Sequence, residues 1–117
     1  RIRDILRQVP FLSDLDSRYI SRIVEALTTY TYKSSDAIIR KGDEGNVFYV
    51  IKSGTVKVHD IEIGQSTYDD QQLGKGGYFG ERAIVTKEKR VANVTAVTDC
   101  ELLCLSREEF LKILGNL

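Results

Sequence analysis

The chain has 117 residues, 17 basic and 17 acidic, with 42% hydrophobic and 29% charged side chains. That length supports one core, the composition is globular and not disordered, and the zero net charge excludes a dedicated nucleic-acid binder. No apolar run approaches the ~20 residues a membrane span needs. In chain order, Ile2, Ile5, Leu6 and Val9 keep helical spacing until Pro10 stops the helix. Ile20, Ile23, Val24 and Leu27 repeat the stripe, with Asp16 as the predicted N-cap. From about Thr28 to Leu105 the pattern changes to short β-rich runs punctuated by glycine: Ala37 to Arg40, Val47 to Ile51, Thr55 to His59, Val91 to Val97 and Glu101 to Leu105. Residues 60–70 are polar and turn-rich and read as a long hairpin connection. Ser106 and Glu109 form an S-x-x-E capping box ahead of a last helix striped by Phe110, Ile113, Leu114 and Leu117. The expected fold class is α+β: a small antiparallel β-barrel, or jelly roll, with helices at both ends. Residues 1–117 are expected to form one domain. The chain opens on Arg1 and contains no methionine, so it is expected to be a piece of a longer protein.

Two cysteines and one histidine offer little redox or metal chemistry. In an extended run, the Cα atoms of Cys100 and Cys104 would lie about 13 Å apart. A disulfide requires them within about 7 Å. A zinc site would need both thiols, His59 and a carboxylate to converge, so no metal site is expected and both thiols read as reduced and buried. Reduced thiols fit a cytoplasmic location.

The unusual segment is Gly74-Lys75-Gly76-Gly77-Tyr78-Phe79-Gly80-Glu81-Arg82-Ala83, followed by Arg90-Val91-Ala92-Asn93. Four of nine glycines fall within seven residues here. A G-x-G-x-x-G fingerprint would put its third glycine where Phe79 stands, and the P-loop G-K-[ST] is absent. Another kind of phosphate cradle fits better. Glycine lets backbone N–H groups approach an anion, and Arg90 can offer a bidentate fork. Glu81 then makes sense as an acceptor for a sugar hydroxyl beside that phosphate. Two readings stay open at this level. Either the segment cradles a nucleotide monophosphate, or its glycines are ordinary turns and Glu81 and Arg90 form a structural ion pair.

Phe79-Gly80-Glu81-x-Ala83 with Arg90-x-Ala92 resembles the phosphate-binding cassette of the eukaryotic cyclic nucleotide-binding domain. The likeness extends to Val9-Pro10-Phe11-Leu12 and to the run from Ile38 to Ile51, and so covers nearly the whole chain. G-K-G-x-Y-F-G-E-R-A and R-x-A-N-V look most like cyclic-GMP-dependent protein kinases, with regulatory subunits of cyclic-AMP-dependent kinase next. The resemblance implies a ligand site at Phe79, Gly80, Glu81, Arg82, Ala83, Arg90, Val91 and Ala92. In it, Glu81 would bind the ribose 2′-OH and Arg90 the exocyclic phosphate oxygens. Gly80 with the Ala83 and Val91 N–H groups would complete the cradle. The implied ligand is cGMP or cAMP, with no cofactor. The implied partner is a serine/threonine kinase domain, in cis or, for a regulatory subunit, in trans.

Departures from the family bear on base choice. cGMP-selective members carry Thr or Ser after the cassette arginine, where this chain has Val91, and an arginine on the preceding strand, where it has Gln71. Poor discrimination is therefore expected. The family's further helix, which covers the base, is expected to be missing from a chain that stops at Leu117, and Tyr78 is expected to pack in the core. No catalytic constellation is present: alternation puts His59 on a solvent face beside Lys57, and the kinase lysine and aspartate motifs are absent.

Overall fold

In the computed structural model, which describes residues 1–115, the first helix, α1 (Ile2–Arg7), ends ahead of Pro10, and Val9 is fully buried just past its last turn. A second helix, α2 (Ser17–Ala26), starts where expected: Asp16 Oδ1 accepts the Arg18 N–H at 2.9 Å. The β region begins with β1 (Thr28–Tyr32), β2 (Ala37–Ile39), β3 (Val47–Ser53) and β4 (Val56–His59). It continues with β5 (Ile61–Ile63), β6 (Ser66–Tyr68), β7 (Gln71–Leu73) and β8 (Tyr78–Phe79). A one-turn helix, α3 (Arg82–Val85), follows, then β9 (Asn93–Ala96), β10 (Cys100–Ser106) and α4 (Arg107–Leu114). Ser106 caps α4 by accepting the Glu109 N–H at 3.0 Å. Leu117, expected on that helix's stripe, lies outside the described residues.

Every strand pairing is antiparallel. One four-stranded sheet runs β1-β10-β3-β8, a second runs β2-β9-β4-β7, and β5 pairs with β6. The α+β barrel expected from the sequence is the fold. Its central strands, β3 and β10, are buried on both faces, which explains why VFYVI and LLCL are continuously apolar. Phe48, Val50, Leu103 and Leu105 point to a cluster completed by Ile5, Leu6, Val9, Leu12, Ile20 and Ile23 from the helical side. Tyr49, Ile51, Leu102 and Cys104 point the other way, into the barrel, with Val56, Val94 and Ala96 from the second sheet.

Some elements differ from expectation. Residues 60–70 are not a plain connection but hold the β5–β6 hairpin, in register Ile61↔Tyr68 and Ile63↔Ser66. Asp60 turns the chain into it with φ of 55°. The strand expected from Val91 is shorter, starting at Asn93, because the Val91 carbonyl instead accepts the Glu62 N–H at 2.9 Å. Cys100 and Cys104 are buried free thiols, and burial pushes the Cys104 thiol up to about 12. The Tyr78 ring sits 6.1 Å from Phe48 and packs on the helical-side cluster.

Candidate functional site

The barrel opens into a cavity of about 240 Å³ between the two sheets. Ile39, Val58, Ile61, Leu73 and Val94 give it an apolar half. All eight residues singled out in the sequence (Phe79, Gly80, Glu81, Arg82, Ala83, Arg90, Val91 and Ala92) line the same cavity, together with Gln71, Glu88 and Lys89. The glycine run achieves this by turning sharply between β8 and α3. Gly80 has φ of 82°, and a Cβ there would lie 2.9 Å from the Val47 carbonyl and 3.0 Å from Arg90 Nη1. Only glycine fits at that point.

Arg90 is held from three sides. Its Nη2 donates to the Val47 carbonyl at 2.8 Å, and its guanidinium carbon lies 6.0 Å over the Tyr49 ring. That ring stacks at 4.8 Å on Phe79. The third wall is Gly45, where any Cβ would overlap the guanidinium Nε and Cζ. Burial lowers the pKa of Arg90 from its ordinary value, but an arginine this far above neutrality remains charged. The ion pair with Glu81 left open by the sequence does not form: among the described residues, no carboxylate pairs with Arg90. A half-buried guanidinium without a counter-charge is costly unless the site supplies an anion.

Glu81 stands at the N-cap position of α3, but its side chain makes no capping bond and no other hydrogen bond among the described residues. Its exposed carboxylate is free to accept. The Ala83 N–H donates to the Gly80 carbonyl at 3.0 Å, closing the first turn of α3. The Arg82 and Val91 N–H groups donate to no carbonyl among the described residues. The Arg82 side chain pairs with Glu88 across the loop that follows α3. Ile84 anchors that turn in the helical-side cluster.

Sequence reasoning had not picked out Gly45 and the Val47 carbonyl as supports for Arg90. The K-G-D-E-G turn held the signal for Gly45, but its closeness to Arg90 follows only from the Glu44↔Lys89 bridge and the Arg90 N–H bond to the Asp43 carbonyl at 2.8 Å. His59 is not simply solvent-facing: its ring nitrogens contact Asp60 at 3.1 Å and Thr95 at 2.8 Å.

A barrel that buries an unpaired arginine against a glycine turn, beside an apolar half-cavity, defines a binding domain for a small anionic ligand. The family model of the cyclic nucleotide-binding domain matches residues 30–116, and the chain belongs to that family. The family binds cAMP or cGMP as its ligand, without a separate cofactor, and is not itself catalytic. A cAMP-dependent protein kinase regulatory subunit from Blastocladiella emersonii is 35% identical over 112 residues, 96% of this chain and 28% of the relative. Human cGMP-dependent protein kinase 2 is 36% identical over 119 residues, 97% of this chain and 15% of the kinase. The chain thus spans less than a third of either relative. Among solved structures, the regulatory domain of Toxoplasma gondii PKA, co-crystallised with cAMP, superposes with a TM-score of 0.82 at 31% identity. That match covers 97% of this chain and 44% of the other.

Proposed function

We propose that the cavity binds a cyclic nucleotide through Arg90 and Glu81, and that this domain regulates a serine/threonine kinase domain of a longer protein. The observation that carries the reading is the half-buried, uncompensated Arg90 guanidinium facing the cavity. Its fork takes the exocyclic phosphate oxygens, and the free Glu81 carboxylate accepts from the ribose 2′-OH. The Val91 and Arg82 N–H groups are free to add to the phosphate cradle, while the Ala83 N–H must first release Gly80. The apolar half receives the base. Ile84 links the ligand turn to the helical side, so ordering that turn shifts the balance between helix arrangements, to the extent that the ligand binds one arrangement more tightly. We take the chain to be a single domain of that protein, acting in the cytoplasm.

The cassette residues G-K-G-x-Y-F-G-E-R-A favour cGMP, while cGMP-dependent kinases and cAMP-dependent regulatory subunits match the chain at comparable identity. Val91 and Gln71, both lining the cavity, favour weak discrimination, and the cAMP-dependent regulatory subunits among the relatives make cAMP the second reading. Calorimetric titration with both nucleotides tests the proposal. Arg90→Ala and Glu81→Ala are each expected to weaken binding at least about tenfold, the loss of one charged hydrogen bond. Lys87→Ala, which lies outside the cavity lining, is expected to leave binding unchanged. Unchanged affinity in Arg90→Ala would sink the assignment, and failure of both nucleotides to bind would point to a domain that has lost its ligand.

A further inference from the structure

A second hollow, of about 390 Å³, is lined by Glu44, Gly45, Asn46, Lys87 and Arg107 and shares none of these residues with the nucleotide cavity. Arg107 opens α4, and its backbone N–H donates to the Asn46 carbonyl at 2.7 Å. Arg107 Nε is the one buried side-chain nitrogen or oxygen among the described residues with no hydrogen-bond partner. Neither Lys87 nor Arg107 takes part in an ion pair among those residues. A cationic donor buried without an acceptor is destabilising, so the partly exposed Arg107 side chain gains by turning its free N–H groups toward an acceptor that enters the hollow.

The chemistry of that acceptor follows from the walls. Two cations against the single Glu44 carboxylate leave a net charge of about +1, which one monoanion balances and a dianionic phosphate overshoots. The Nε–H and a neighbouring Nη–H of an arginine form a planar fork matched to a carboxylate. No lining residue is apolar, so there is no seat for the body of a hydrophobic small molecule. A side-chain carboxylate projecting from a polypeptide meets these conditions.

We propose that this hollow is a docking site for an acidic segment of a protein partner, with Arg107 and Lys87 holding one Asp or Glu carboxylate. Gly45 and Asn46 floor the hollow while Gly45 also walls Arg90, so the partner would press on the loop that positions the nucleotide-site arginine.

The test is the Nε–Hε NMR resonance of Arg107, followed without nucleotide, so that failure here leaves the reading of the nucleotide cavity standing. The probes are an end-blocked hexaglutamate peptide, the matching hexaglutamine and inorganic phosphate. Hexaglutamate is expected to shift the resonance saturably and hexaglutamine is not. Lys87→Gln, at an exposed position, is expected to weaken hexaglutamate binding about threefold. Arg107→Lys, which keeps the charge but loses the fork, is expected to weaken it further. The absence of a saturable shift, unchanged affinity in Lys87→Gln, or tighter binding of inorganic phosphate would each overturn the proposal.

Discussion

The two sides of strands β3 and β10 have diverged. On the helical side, Phe48, Val50, Leu103 and Leu105 join a buried hydrophobic cluster with Ile5, Leu6, Ile20 and Ile23 of the first two helices. On the barrel side, the same strands present Tyr49, Ile51, Leu102 and Cys104, whose neighbours include an arginine over a tyrosine ring and a cavity open to a ligand. One face stabilises the domain and the other keeps space and an unpaired charge within it. The arrangement separates stability from binding by one residue of alternation, because successive side chains on a strand point to opposite faces. Substitutions on the two faces should therefore fail in different assays.

The largest effect is expected on the helical side. Leu103 is fully buried opposite Val50 in the β3–β10 ladder. Leu103→Ala is expected to lower unfolding stability by about 3 kcal/mol, through lost burial and a residual cavity. Urea denaturation measures this, and nucleotide affinity of the still-folded fraction should change less than twofold, about 0.4 kcal/mol. An affinity loss as large as the stability loss would show that the two faces are not separable.

The mirror experiment is Gly45→Ala. Gly45 does not have a positive φ, so alanine is compatible with its backbone, but the added methyl occupies the place of the Arg90 guanidinium. A flexible side chain yields more readily than a backbone, so Arg90 should swing away from the Val47 carbonyl and from the phosphate position. Nucleotide affinity is expected to fall about tenfold while the urea midpoint moves little, since a misplaced charged hydrogen bond accounts for about 1.4 kcal/mol of binding. If affinity holds and stability drops, Gly45 serves the fold and not the site.

The contrast also explains what could be read from the sequence. Helix ends were legible because their chemistry is local: Asp16 caps within two residues and Ser106 within three. The central strands were legible from their apolar runs. Strand β1 did not announce itself, since Thr28-Thr29-Tyr30-Thr31 is exposed at a sheet edge and lacks alternating burial. Short β7 and β8 and one-turn α3 have too few residues to show a period. The cassette was visible as a motif because Gly80, Glu81 and Arg90 lie within ten or so positions. Its supports were not: Val47 and Gly45 reach Arg90 from more than forty residues away, through a bridge that no spacing rule encodes.

The smallest effect concerns base choice and also sharpens the contrast, because it alters the barrel side without touching stability. Val91 lines the cavity, is half-buried, and is nearly the same size and shape as threonine. Its carbonyl bond to the Glu62 N–H is a backbone contact that the substitution leaves in place. Val91→Thr therefore adds one hydroxyl and little else. Guanine carries an exocyclic amino group that adenine lacks at the same position, and only guanine can use the new acceptor. One added hydrogen bond contributes about 1 kcal/mol, so the ratio of cGMP to cAMP affinity should rise about fivefold, with cAMP affinity itself nearly constant. Competition titration of the two nucleotides reads that ratio directly. An unchanged ratio would place the discriminating contacts elsewhere in the cavity, with Gln71, whose amide can both donate and accept, the next residue to change.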